Sequence, residues 1–85
     1  MRIRYGKTAL KSLQGYDRPT RERIRQKIND LTLTPPIGDI KALIGEKGRY
    51  RLRVGKYRVK YEYIIDKAET ILHIVNIDSR GDIYK

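Results

Sequence analysis

The pattern of apolar and polar positions divides the chain into a helical first part and a strand-rich second part. Residues 1–5 alternate polar and apolar side chains, which predicts a short strand ending at Gly6. Residues 7–14 repeat apolar positions at helical spacing, and Gly15 suits a helix C-terminus. A second helix is predicted from Pro19 to Thr34, with an apolar stripe formed by Ile24, Ile28 and Leu31. The two helices would form a hairpin with one buried side.

Three runs in the second part are rich in Tyr and β-branched residues, which favours strands at 50–54, 57–65 and 70–77. Short loops join them, so they predict an antiparallel meander. Residues 35–48 predict an irregular connection, in which the conformation of residues 40–44 is left unassigned. The predicted fold class is therefore α+β, with an N-terminal strand, a helical hairpin and an antiparallel β-meander.

The composition bounds the size and setting of this fold. A chain of 85 residues is expected to form a single domain, 1–85, and its 39% apolar residues include no Phe, Trp or Cys. The sequence contains no apolar run near the roughly 20 residues that span a bilayer, and residues 1–5 do not resemble a secretory signal. We therefore expect a cytoplasmic protein with no membrane partner and no cofactor.

The basic residues give the strongest indication of function, because the formal net charge is +10. Such a charge predicts attraction to polyanions, and RNA, DNA, a membrane surface or an acidic protein would each qualify. Residues 47–61 contain no acid. The basic residues of this stretch are Lys47, Arg49, Arg51, Arg53, Lys56, Arg58 and Lys60.

Gly55 at the first position of a two-residue loop suits a type II′ turn, which fixes the register of the first hairpin. Arg53 would then lie opposite Arg58, and Arg51 opposite Lys60. These four side chains would share one face of the hairpin, here called the cationic face, with the Tyr, Leu and Val side chains on the other. Like charges opposite each other destabilise a sheet by up to about 1 kcal/mol per pair. We therefore expect the cationic face to bind phosphate rather than to serve folding.

Cleavage of RNA would need a base for the ribose 2′-hydroxyl, cations for the phosphorane and an acid for the 5′-oxygen. The single histidine, His73, is in phase with apolar neighbours and is expected to be a core or sheet-surface residue. We expect no metal site, since one His and no Cys give no ligand spacing. Arginine is not a base, which leaves Tyr84, Lys41, Lys60 or a carboxylate.

Residues 50–61, YRLRVGKYRVKY, resemble the central hairpin of RelE-type toxins, whose pattern is RLRVG-x-YR-x-x-Y. Residues 78–84, DSRGDIY, resemble the terminal HR-x-[DE]-[VA]-Y element of the same family. The paired helices, Pro35 and the Lys41-x-Leu43 segment also match its N-terminal half. The resemblance to the RelE/ParE superfamily thus covers nearly the whole chain and implies a RelE-like microbial RNase fold.

The resemblance implies the toxin of a type II toxin–antitoxin system, a metal-independent, ribosome-dependent endoribonuclease that cleaves mRNA in the A site. Its expected partners are the ribosome, mRNA and a cognate antitoxin protein that silences it. The residues implied to contact or act on the scissile phosphate are Arg51, Arg53, Arg58, Arg80 and Tyr84. Neighbouring cations are expected to bind RNA, namely Lys41, Lys47, Arg49, Lys56 and Lys60.

Two other functions remain open at the level of sequence. The superfamily includes ParE-type poisons of DNA gyrase, which are not nucleases, so the fold alone does not imply RNA cleavage. The joint presence of the hairpin cations, Arg80 and Tyr84 favours the RelE-type activity. A non-catalytic RNA-binding module is the third alternative, against which stands the lack of aromatic stacking positions among the basic residues.

Overall fold

The structure, a computed structural model, describes residues 1–79. Its elements in chain order are β1 (Arg2–Tyr5), α1 (Lys7–Gln14), α2 (Arg18–Asn29), a 3-10 turn (Asp30–Thr32), β2 (Asp39–Ala42), β3 (Arg49–Val54), β4 (Tyr57–Asp66) and β5 (Glu69–Ser79). The strands form one sheet in the order β1-β5-β4-β3-β2. Strands β2 to β5 pair antiparallel, whereas β1 lies parallel to β5. The predicted α+β fold, with its opening strand, helical hairpin and meander, is confirmed.

Both helices pack on the same side of the sheet, here called the helix-covered face. Their contribution to the core is Ala9, Leu13, Ile24 and Ile28, all fully buried. Strand residues that alternate with the cations, such as Leu52 and Val59, are buried against these helices. Five tyrosines add to this layer, as Tyr50, Tyr61 and Tyr63 contact one another and Tyr57 packs on Tyr16. The apolar face of the hairpin is thus the core face, as the alternation predicts.

The β3–β4 hairpin has the predicted register, with Arg53 opposite Arg58 and Arg51 opposite Lys60. Gly55 has a φ of +60°, as the first position of a type II′ turn requires. An added Cβ at Gly55 would also meet the guanidinium of Arg23 from α2. Glycine is therefore favoured here by the backbone conformation, whereas the flexible, exposed side chain of Arg23 can move aside.

Two elements differ from the prediction. Helix α2 ends at Asn29 and not at Thr34, because the chain tightens into the 3-10 turn, where the Thr32 hydroxyl donates to the Asn29 carbonyl over 2.7 Å. Residues 39–42 form the edge strand β2, within the segment predicted to be irregular. Only one of its four residues is even partly buried, so no alternation marks it in the sequence.

Candidate nucleic-acid interface

The registers of four antiparallel strands arrange the polar face of the sheet in two transverse rows. The first row consists of Lys41, Arg51, Lys60 and Asn76. The second row consists of Asp39, Arg53, Arg58 and Asp78. Strand side chains of one row project to the same side, so the cationic face lies within a polar surface four strands wide. An acid stands at each end of the second row.

Acids from outside the basic stretch balance the cationic face. Asp39 accepts from Arg53 Nε at 2.7 Å and lies 3.6 Å from Arg51 Nη1. Glu46 lies 2.5 Å from Lys60 Nζ. Two carboxylates therefore offset part of the repulsion between the facing cations, and phosphate binding by the cationic face stays a prediction.

Burial divides the cationic face into two kinds of arginine. Arg53 has a side chain that is 53% exposed, whereas Arg51 and Arg58 expose only 9% and 8% of their surface. The Nε atom of Arg51 is covered and makes no hydrogen bond within the described residues. Arg58 donates from Nη1 to the carbonyls of Gly55 and Tyr57 at the turn. Arg58 therefore lies on the cationic face as predicted but is buried there, and its guanidinium is held in place by the hairpin.

A cleft of about 290 Å³ opens on the first row, between β2 and the turn that follows it. Its walls comprise Lys41, Ala42, Leu43, Ile44, Glu46, Arg51 and Lys60. Three predicted site residues, Lys41, Arg51 and Lys60, therefore meet in one concavity. Such a cluster of cations in a concave site can hold an anion against competition from water.

Glu46 connects Lys60 in the cleft with Arg49. Arg49 lies opposite Glu62, and this pair belongs to a third transverse row of the sheet. The Glu46 carboxylate contacts Lys60 and also lies 3.6 Å from Arg49 Nη1, while Arg49 Nε donates to Glu62 at 3.2 Å. The hydrogen bond from the Lys60 ammonium holds the pKa of Glu46 below its usual value. Glu46 is therefore ionised at neutral pH, and Glu62 balances the charge of Arg49.

His73 lies on the polar face of the sheet, where its Nδ1 accepts a hydrogen bond of 3.3 Å from Arg4 Nε. A bulge in the β4–β5 pairing explains the position. Lys60 faces Asn76 while Tyr61 faces Ile74, so that Val75 is the extra residue. His73 and Ile77 therefore lie on opposite faces of the sheet. Of the two environments expected for His73, the core and the sheet surface, the structure shows the sheet surface.

The remaining predicted cations lie at the margins of the site or beyond the described chain. Lys47 is exposed in the turn after β2. Lys56 Nζ lies 5.5 Å from the ring centroid of Tyr57, whose ring belongs to the helix-covered face. Arg80 and Tyr84 lie outside residues 1–79, so their roles stay predictions. Within that described range, no group of three His, Cys, Asp or Glu side chains could hold a metal ion, and no helix is long and apolar enough to cross a bilayer.

Sequence reasoning missed Asp39 and Glu46, the two acids that hold the cationic face. Gly45 and Gly48 both have a φ of +79°, and they enclose Glu46 in the turn between β2 and β3. This Gly-x-x-Gly spacing indicates a tight turn, but it does not set the register that places Asp39 opposite Arg53. The pairing of Glu46 with Lys60 has no comparable sequence pattern.

Comparison with protein families identifies the chain. Residues 3–84 match the sequence model described as the ParE toxin of the type II toxin–antitoxin system parDE. The chain belongs to this toxin family. It is a toxin of a type II toxin–antitoxin system in the RelE/ParE superfamily. No curated protein matches this ParE-family toxin.

Solved structures resemble the ParE-family toxin along almost its whole length. The RelB–RelE antitoxin–toxin complex from Methanococcus jannaschii is 27% identical, with a TM-score of 0.69 and coverage of 95% of this chain and 94% of that one. The RelE–RelB complex from Pyrococcus horikoshii OT3 is 26% identical, with a TM-score of 0.74 and coverage of 95% and 96%. The isolated E. coli RelE toxin, at 21% identity, shares the fold with a TM-score of 0.75 and coverage of 98% and 89%.

Proposed function

We propose that this toxin is a ribosome-dependent endoribonuclease that cleaves mRNA in the A site. The observation that carries the proposal is the cationic face, where Arg51 and Lys60 border a cleft beside the Arg53–Arg58 pair. RNA supplies the phosphate that such paired cations bind. The RelE names of the two archaeal relatives support the same branch of the superfamily.

The buried arginines are suited to a phosphate in its transition state. Arg58 is fixed by the turn carbonyls, and Arg51 is held by Asp39, so little reorganisation is needed when charge develops. Preorganised donors of this kind stabilise the extra charge of a pentacoordinate phosphorane more strongly than mobile side chains do. Arg53, which is more exposed, can approach the phosphate from the open side.

Cleavage in this proposal is a transesterification. The 2′-oxygen forms a bond to phosphorus while the bond from phosphorus to the 5′-oxygen breaks, which leaves a 2′,3′-cyclic phosphate and a 5′-hydroxyl. A base takes the 2′-hydroxyl proton and an acid protonates the leaving oxygen. Arg80 and Tyr84 are proposed to act at this phosphate beside the cationic face, where Lys41 and Lys60 both lie directly opposite Arg51 in register.

A cognate antitoxin is proposed as the regulatory partner. Both archaeal relatives were solved in complex with RelB, and the net charge of +10 favours an acidic or amphipathic segment. Such a segment would cover the cationic face and thereby exclude RNA. A gain in thermal stability with the co-encoded antitoxin is the expected result, and the lack of any gain would contradict this part of the proposal.

Poisoning of DNA gyrase is the second candidate function, because the matching family model is that of a ParE toxin. The two activities leave different traces in a cell. A nuclease produces new mRNA 5′ ends with a free hydroxyl, whereas a gyrase poison produces gyrase-linked DNA breaks and leaves mRNA intact.

The deciding experiment is induced expression with mapping of 5′-hydroxyl mRNA ends, using the native chain and two variants. Arg53→Ala removes an exposed cation of the site and should lower cleavage within codons by about a hundredfold. Arg25→Ala removes the same charge from the exposed surface of α2 and should leave cleavage unchanged.

Each outcome separates the candidates. Codon-centred ends that Arg53→Ala removes and Arg25→Ala keeps would support the nuclease. Intact mRNA with gyrase-linked breaks would move the chain to gyrase poisoning. RNA binding without either effect would leave a non-catalytic binding module.

A further inference from the structure

The residues that line the cleft on the first row are of two chemical kinds. The cations are Lys41, Arg51 and Lys60, and the consecutive residues Ala42, Leu43 and Ile44 are apolar. A binding groove for phosphate alone has no use for the apolar residues. The two kinds together match a molecule that has an anionic part and an apolar, flat part.

Ile44 is the apolar lining residue whose exposure folding does not explain. Its side chain is 95% exposed, the largest value among the large apolar residues of the described chain. It contributes nothing to the core cluster, and it stands at the cleft in the turn between β2 and β3. An isoleucine exposed to this extent gains stability only if something covers it.

We propose that Ala42, Leu43 and Ile44 form a platform for the base of an RNA nucleotide whose phosphate binds Lys41, Arg51 and Lys60. This inference rests on the proposed function, since it assigns the base next to the bound phosphate. The faces of a nucleobase are apolar while its edges are polar, so an aliphatic surface beside a cationic pocket suits any of the four bases. The platform therefore contributes affinity and position, and discrimination among bases is weak.

The carboxylate of Glu46 favours a nucleotide over an extended polyanion. Glu46 lines the same cleft and already binds Lys60 and Arg49. A second phosphate in the cleft would meet this negative charge, whereas a base edge brings N–H donors that a carboxylate can accept. One phosphate and one base is thus the occupancy that fits the charges.

The test is NMR titration of the full chain labelled at the isoleucine and leucine methyl groups. The probes are adenosine 3′-monophosphate, uridine 3′-monophosphate, ribose 5-phosphate and inorganic phosphate. Both nucleotides should shift the methyl signals of Leu43 and Ile44 and should bind about fivefold more tightly than ribose 5-phosphate, as expected when a base covers one aliphatic side chain.

Two matched variants locate the effect. Ile44→Ser should remove the advantage of the nucleotides over ribose 5-phosphate while leaving the affinity for inorganic phosphate unchanged. Ile65→Ser replaces another exposed isoleucine, at the far end of β4, and should retain the nucleotide advantage. Because Ile44 is exposed, its replacement should not unfold the chain, and the unchanged amide spectrum checks this.

The outcomes are distinct from those of the cleavage assay. Equal affinity for nucleotides and ribose 5-phosphate, or shifts that avoid Ile44, would overturn the platform even if the chain cleaves mRNA in cells. A nucleotide advantage that Ile44→Ser removes would support the platform even if codon-centred cleavage were absent. In that case the nuclease proposal fails and the nucleotide site stands.

Discussion

Both faces of the sheet contain buried side chains, but different interactions hold them in place. On the helix-covered face, side chains such as Leu52 and Val59 are excluded from water by apolar contact with α1 and α2. On the cationic face, Arg51 and Arg58 are almost as well buried, yet they are held by an ion pair and by turn carbonyls. Burial alone therefore does not distinguish core from site in this toxin. The distinction lies in whether the buried atoms are apolar or need a polar partner.

The largest expected difference between the faces comes from two neighbouring residues of β3. Leu52→Ala should lower the free energy of unfolding by about 3 kcal/mol, because it leaves a cavity under the helices. Arg53 lies on the other face of the sheet, and its ion pair with Asp39 is exposed. Arg53→Ala should therefore lower the free energy of unfolding by at most about 1 kcal/mol. Urea unfolding of both variants measures the two values, and similar costs would break the comparison.

The helix-covered face should respond to alkali. Burial, and then the neighbouring Tyr63 and Tyr50, raise the pKa of Tyr61 above its usual value of 10.0. A raised folded pKa leaves stability intact below pH 10 and removes it as pH rises further, by about 1.4 kcal/mol per pH unit for one group. Tyr61→Phe should flatten this alkaline loss in urea unfolding from pH 9 to about pH 11. An unchanged slope would contradict the assignment to Tyr61.

The cationic face should depend on its acids. Asp39→Asn leaves Arg51 and Arg53 without their carboxylate and should lower the free energy of unfolding by about 1 kcal/mol. Glu22→Gln breaks an exposed ion pair with Arg18 on α2 and serves as the control, with an expected cost below about 0.5 kcal/mol. If both variants show the same small loss in the free energy of unfolding, Asp39 has no special role in the site.

The smallest effect is expected from Glu46 in acid. Lys60 lowers the folded pKa of Glu46, so the stability it contributes is present above its ordinary value of 4.5 and is lost as pH falls through the lower folded value. Glu46→Gln should therefore be slightly less stable than the native chain at pH 7, with the difference vanishing at low pH. The measurement is the urea midpoint of both chains from pH 7 to low pH. A stability difference that grows as the pH falls would contradict the lowered pKa of Glu46.

Local sequence rules predicted the parts of the site that depend on one turn. Gly55 fixed the pairing of Arg53 with Arg58, and alternation then assigned each β3 and β4 side chain to its face. Both helices and the opening strand were likewise predicted from periodicity, although α2 ends at Asn29 and not at Thr34. These elements are short and regular, so neighbouring positions carry enough information.

Features that depend on distant pairing were not predictable. Strand β2 has one partly buried residue, so only its position beside β3 makes it a strand and brings Asp39 to Arg51. The bulge in β5 changes the face of every residue beyond Val75, and nothing near His73 in sequence announces it. The burial of Arg51 and Arg58 follows from the same tertiary context.

Strand β5 lies in the interior of the sheet, between β1 and β4, although it is the last described strand to leave the ribosome. Until it emerges, the opening strand has no neighbour to pair with, and Leu72, Ile74 and Ile77 are missing from the core. Contacts that span most of the chain form slowly, because the intervening loop must first be closed. A nascent chain of this toxin therefore completes its fold only after β5 has emerged, which delays the appearance of the assembled cationic face.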